Sequence, residues 1–220
     1  HSHWVGERTV VNIEHSVKAG KPFFLWASFF DPHPPYIIPE PWASMYDPAD
    51  MVPGRFVEGE FDDMPPHFSK TREQNPDYSM YREPQGQGLH GFRSHLHDED
   101  ALRRCIACYY GMTSLIDQEV GRMLDALDRL GIADNTLVVY TTDHGHFLGQ
   151  HGLIAKGAFH YEDMLRLPML ARFPGRVPAG GISDALQSQV DFAPTFLSAA
   201  SIEAPGMMQG VNQLDVWQGQ

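Results

Sequence analysis

The sequence predicts an α/β protein built around a sheet flanked by helices. Three observations carry that expectation. Residues 23–30 read FFLWASFF, a continuously apolar and aromatic run. Residues 98–131 place apolar side chains at helical spacing over about nine turns. From Thr136 to Tyr140 a β-branched run leads directly towards Asp143, His144 and Gly145, and in α/β proteins ligands gather beyond the carboxyl ends of the strands.

Taken in order, Arg8 to Ala19 is expected to form a short helix closed by Gly20. Lys21 and Pro22 introduce the run Phe23–Phe30, read as a buried central strand because it lacks polar alternation. That strand ends in DPHPPY, Asp31 to Tyr36. Between Pro32 and Pro84 fall 11 of the 17 prolines, with few recurring apolar positions. Residues 34–97 therefore read as a long irregular excursion on the substrate side of the domain, since loops of such length are usually functional. Order returns at Asp98. Acidic residues occupy the first turn, apolar ones recur at Leu102, Ile106, Tyr109, Ile116, Val120, Met123, Leu127 and Leu130, and Gly131 ends the helix. A turn (IADN), the strand Thr136–Tyr140, a further strand near Met169–Phe173 and a short helix from Asp191, with Pro194 in its first turn, complete the series.

With 220 residues and 42% hydrophobic content, the chain suffices for one large domain or a substantial piece of one. Its formal charge of −12 argues against nucleic acid as a partner. A metal ion and a lysine could still create a local field for an anion. No stretch approaches the roughly 18 apolar residues that a membrane crossing needs, and the opening HSHWVGERTVV reads as the middle of a longer chain rather than as a signal peptide. Cys105 and Cys108, the only cysteines, fall inside the long helix and read as ordinary, partly buried thiols.

Four residues stand out for chemistry. Asp143 and His144 offer a carboxylate beside an imidazole at a turn supplied by Gly145, a plausible edge of a cation site: oxygen suits a hard cation and nitrogen tolerates a borderline one. The plainer reading is an Asp–His hydrogen bond at a strand end. Lys156, in AKGAF, sits among small residues that leave its ammonium able to approach an anion, or else it is a solvated loop lysine. His33 lies between prolines that stiffen its backbone, useful for a ring that must be aimed. His90, His95 and His97 read instead as members of a solvated loop.

Taken together, these blocks resemble the sulfatase family within the alkaline phosphatase superfamily. The resemblance rests on PFFLWASFFDPHPPY, on YYGMTSLIDQEVGRMLDALDRLGIADNTLVVYTTDHGHFLGQHGLIAKG, on YEDMLRLPMLARFPG and on VDFAPTFLSAASIEAPGMMQG. It implies an alkaline phosphatase-like sheet, incomplete here at its N-terminal strands and C-terminal region, with all 220 residues forming part of one catalytic domain. It implies that Asp143 and His144 ligate a divalent cation, most simply Ca2+. Lys156 would bind the sulfate and nucleophile oxygens, and His33 would contact sulfate and assist the leaving group. The nucleophile of the family is a formylglycine made within a Cys- or Ser-x-Pro-x-Arg motif, and an Asp-Asp pair completes its metal site. In the family both lie upstream of these blocks; the Cys/Ser-x-Pro-x-Arg motif does not occur in this sequence and no Asp-Asp pair precedes PFFLWASFFDPHPPY, so the stretch taken alone is expected to be inactive. The implied substrate is a sulfated small molecule or carbohydrate, with a periplasmic or secreted location favoured. Two alternatives stay open: a phosphonate monoester or phosphodiester hydrolase of the same superfamily, using Mn2+ or Zn2+, and a noncatalytic relative.

Overall fold

Helix α1 (Ser2–Lys18) starts at Ser2 rather than Arg8 and ends as expected, with Gly20 in the left-handed region at φ +63°. The structure, a computed structural model, describes residues 1–77 and 98–220. His90, His95, His97 and the last part of the expected excursion lie outside the described residues. The chain forms two compact units, His1–Met123 with His144–Leu167, and Leu124–Asp143 with Pro168–Gln220.

The first unit is organised by the long helix, α3 (Glu99–Arg129), which follows the short helix α2 (Pro66–Lys70). Asp98 caps α3: its carboxylate accepts the Ala101 N–H at 2.6 Å. Of the apolar positions read from the sequence, Ile106, Ile116 and Leu127 are buried and the others are partly buried, while Ala107, Met112, Leu115 and Ala126 add to the buried set. Helix α1 meets α3 at Gly6, where a Cβ would stand 1.9 Å from Glu119 Oε2. Glu119 is fully buried, and its charge is met by His3 Nδ1 at 2.6 Å and by Arg122 Nη1 at 2.8 Å.

Two apolar clusters hold this unit together. Phe61 and Phe68 pack with Phe147, Leu153, Phe159 and Met164, while Met51 packs with Ile106 and Ala107 of α3. The described part of the proline-rich excursion is irregular, as expected, yet its aromatic residues anchor it into this core. Phe147 opens the two-residue strand β2 (Phe147–Leu148), which pairs antiparallel with β3 (Ile154–Ala155). Between those strands His151, at φ 56°, sits 2.8 Å from Glu60 and 3.4 Å from Asp163. Its ring lies flat on Tyr161, with centroids 3.6 Å apart. Helix α4 (Glu162–Leu165) closes the unit.

One expectation fails. Residues 23–30 form no strand, and Phe24, Trp26 and Phe30 are 71%, 73% and 51% exposed. A strand exists only where a neighbour satisfies its N–H and C=O groups. Among the described residues the ladders are β1–β4 and β2–β3, and neither includes this run.

In the second unit, β1 (Val138–Thr141) pairs antiparallel with β4 (Met169–Arg172), Val138 facing Arg172 and Thr141 facing Met169. β1 starts later than predicted because Thr136 closes the 3-10 turn Ala133–Asn135, its hydroxyl donating to the Ile132 carbonyl at 2.8 Å. Arg172 reaches Asp128 at 2.9 Å. Helix α5 (Phe192–Ala199) follows a capping box formed by Ser188 and Asp191. Asp191 also accepts the Val211 N–H at 2.8 Å, joining α5 to the segment before α6 (Leu214–Trp217). Trp217 of α6 stands edge-on to Phe192 and Phe196. No helix among the described residues is long and apolar enough to cross a membrane.

Candidate functional site

The boundary between the two units falls between Asp143 and His144, so the expected cation ligands are described each with its own unit. In the second unit Asp143 is exposed, and its backbone is held by Gln189, whose amide donates to the Thr142 and Asp143 carbonyls at 2.8 Å each. The Thr142 hydroxyl lies 3.3 Å from Asp143 Oδ1. Asp143 thus stands at the end of β1 on a fixed backbone, with an acidic side chain turned to solvent.

In the first unit His144 and Lys156 come together. His144 Nδ1 donates to the Gly145 carbonyl at 2.8 Å, which makes Nε2 the lone-pair nitrogen, and Lys156 Nζ lies 3.2 Å from that Nε2. A backbone carbonyl that fixes the tautomer in this way is the usual support of a metal-binding imidazole. Gly145 matters here for space as much as for turning. A Cβ on it would fall 1.7 Å from the Asp163 carbonyl oxygen, and its N–H donates to the Met164 carbonyl at 3.0 Å. The loop bearing His144 is thereby laid directly on the start of α4.

His33 shows the same arrangement. Its Nδ1 donates to the Pro34 carbonyl at 2.6 Å, its N–H donates to the Phe30 carbonyl, and its ring packs on Phe30 at 4.8 Å. Nε2 is the nitrogen left to meet a ligand. Lys156 and His144 border an open pocket of about 380 Å³ whose other walls are Gly157, Phe159, His160, Met164 and Leu165. A pocket with cationic and nitrogen groups at one end and apolar walls elsewhere suits an anionic head carried on a less polar body.

The sequence reading passed over two residues. His146 Nε2 lies 2.6 Å from the Tyr36 hydroxyl, and its ring stacks on Tyr109 of α3 at 5.3 Å. Burial, and after it the charges of His144, Lys156 and His33, push the His146 imidazole down to about 4, so it is neutral at ordinary pH. Burial, then Cys105 and Tyr109, holds the Tyr36 phenol well above its ordinary value. With both partners neutral, the phenol donates and the imidazole accepts. The available signal was the second histidine of DHGH, two residues after one already singled out. The cysteines answer to the plainer expectation: both are partly buried and unpaired with each other, and burial, then Cys108, pushes the Cys105 thiol up.

Each residue by itself is of a type that a divalent cation accepts, Asp143 as an exposed carboxylate in its unit and His144 as an imidazole of fixed tautomer in the other. No group of three or more His, Cys, Asp or Glu side chains suited to a metal occurs among the described residues.

Comparison with known proteins places this geometry in context. The family model described as Sulfatase matches residues 7–202. An N-acetylglucosamine-6-O-sulfatase of Bacteroides thetaiotaomicron is 43% identical over 104 residues, covering 47% of this chain and 18% of that protein. The multifunctional alkaline phosphatase superfamily protein PehA of Trinickia caryophylli is 31% identical over 204 residues, covering 87% of this chain and 36% of that protein. The structure of a phosphonate monoester hydrolase from Silicibacter pomeroyi superposes with a TM-score of 0.81 at 25% identity, covering 100% of this chain and 42% of the other. The expected alkaline phosphatase-like α/β fold is therefore present, and the chain spans well under half the length of these relatives.

Proposed function

Because the chain belongs to the sulfatase family, we propose that it forms part of a hydrolase of sulfate esters, with His33, His144 and Lys156 gathered around the sulfate. The observation that carries this reading is the approach of Lys156 Nζ to His144 Nε2 at 3.2 Å beside the pocket. An ammonium held there offsets charge on nonbridging sulfate oxygens as the S–O bond breaks, and such preorganised charge is commonly the largest single contribution to catalysis. Asp143 and His144 would hold the divalent cation, Ca2+ in the simplest case, which when bound polarises a sulfate oxygen. His33 binds sulfate through Nε2 and, as imidazolium, delivers the Nε2 proton to the departing ester oxygen. None of the 220 residues stands in a Cys/Ser-x-Pro-x-Arg motif, so a formylglycine nucleophile is assigned to residues outside this stretch. The likeness to the N-acetylglucosamine-6-O-sulfatase favours a sulfated amino sugar as substrate.

The phosphonate monoester hydrolase likeness supports a second reading, a phosphonate or phosphodiester hydrolase with the same residues around a phosphoryl group. One assay separates the two. The full-length protein, loaded with Ca2+ or Mn2+, is given N-acetylglucosamine 6-sulfate and, separately, a phenyl phosphonate monoester. The sulfatase reading expects higher kcat/KM on the sugar sulfate. A preference of tenfold or more for the phosphonate would transfer the assignment to the second reading.

A further inference from the structure

We propose that Tyr36 and His146 are positioning residues, a clamp that fixes where the His33 ring stands relative to Lys156. The inference rests on the sulfatase reading for the role of His33, but its geometry does not. Tyr36 ends the Asp31–Tyr36 turn that carries His33. His146 belongs to the loop that carries His144 and leads through β2 and β3 to Lys156. The bond between the phenol and Nε2, at 2.6 Å, crosses 110 residues of sequence and ties one segment to the other.

Both rings are seated on α3. Tyr109 stacks under His146 at 5.3 Å and meets Tyr36 edge-on at 6.4 Å, so the three rings form one cluster. The chain just beyond Tyr36 is held down on the same helix. At Gly111 a Cβ would fall 2.3 Å from the Trp42 carbonyl oxygen, so only a glycine admits the segment this closely. A few residues further on, the Tyr46 hydroxyl lies 2.8 Å from the Ser114 hydroxyl. The His33 turn therefore has a rigid support on one side and a polar tie, the Tyr36–His146 bond, across to the Lys156 side. Removing the tie should let the turn move while leaving its support intact, which is the behaviour of a residue acting through another. Small displacements of a reacting group cost about a hundredfold in rate.

The test uses the full-length enzyme and the variant Tyr36→Phe, which removes one hydroxyl and keeps every ring contact. On a sugar sulfate, kcat should fall roughly tenfold to a hundredfold with KM within about twofold. In a His33→Ala background the same change should cost less than about twofold, because there is no longer a ring to position. His146→Phe should repeat both results, and His146→Gln, which keeps an acceptor for the phenol, should recover part of the rate. A second measurement needs no turnover: in spectra of protein labelled with 15N-histidine, Tyr36→Phe should shift the ring nitrogens of His33 as well as those of His146. A wild-type enzyme inactive on sulfate esters would remove the sulfatase reading and leave the clamp to be judged by the spectra. Full activity in Tyr36→Phe, an undiminished loss in the His33→Ala background, or an unmoved His33 signal would each overturn the clamp.

Discussion

In the proposed reaction Lys156 and His33 would divide the work of the site by where charge appears. Lys156 would face the oxygens that stay on sulfur, so its contribution should hardly depend on the leaving group. In the full-length enzyme Lys156→Ala should lower kcat/KM by an amount equivalent to about 2–4 kcal/mol, whereas Lys18→Ala, on the exposed end of α1, should leave it unchanged. Losses of equal size from both would make Lys156 a surface lysine. His33 would face the oxygen that leaves. A nitrophenolate departs without a proton, while a sugar alkoxide needs one, and general acid catalysis contributes roughly 10²- to 10⁴-fold where the leaving group is poor. His33→Ala should therefore damage turnover of a sugar sulfate far more than that of 4-nitrophenyl sulfate, as measured by kcat/KM on each. A uniform loss would confine His33 to binding sulfate. The candidates were legible in the sequence because each lies in a locally unusual context: a histidine between prolines, a lysine between small residues, an Asp-His pair after a β-branched run. His146 was not, since what makes it matter is Tyr36 on another segment and Tyr109 beneath it, and neither is a neighbour in the sequence.

At the level of elements, local pattern proved a good guide wherever an element stabilises itself. The α3 helix carries its own hydrogen bonds, an N-terminal aspartate cap and a stripe of apolar residues, so its extent follows from the sequence within a residue or two. Phe23–Phe30 carries no such internal support: apolar composition suits a strand, but the ladder must come from a partner. Gly145 adds a different lesson. The sequence suggests a glycine needed for a turn, whereas the structure shows one needed because the Asp163 carbonyl lies where a Cβ would go. Gly145→Ala should thus be more costly than a helix-propensity or loop argument suggests, with a loss of about 1–3 kcal/mol in chemical denaturation from the forced backbone shift. Unchanged stability would mean that the loop relaxes freely away from α4, and the alignment of His144 would then need another support.

Across the whole molecule, acidity and burial set the response to pH. Asp191 is nearly buried and accepts hydrogen bonds from the Val211 and Ser188 N–H groups, with Gln213 adding a third. The first two, backbone bonds, hold its carboxyl below the ordinary carboxylate value. A depressed folded-state value means that the unfolded chain binds the proton more readily. The stabilisation is complete above the ordinary carboxylate range and is lost as pH falls through that range and below it. Melting temperature should therefore decline on acidification from neutrality, and Asp191→Asn should be less stable at neutral pH while showing a shallower decline. Parallel curves for the two proteins would remove Asp191 as a source of the dependence. The hydrogen bond between Tyr36 and His146 carries a further consequence, one of timing. Helix α3, which lies between its partners in sequence, forms through contacts a few residues apart, on the order of a microsecond for an isolated helix, whereas the tie must wait for a loop of 110 residues to close. A contact made that late is absent from the rate-limiting ensemble, so removing it should speed unfolding and leave refolding nearly untouched. Stopped-flow traces of Tyr36→Phe would show this as a raised unfolding limb over an unshifted refolding limb. The pocket beside Lys156 would then be the last region to assemble as the chain folds and the first to open as it comes apart.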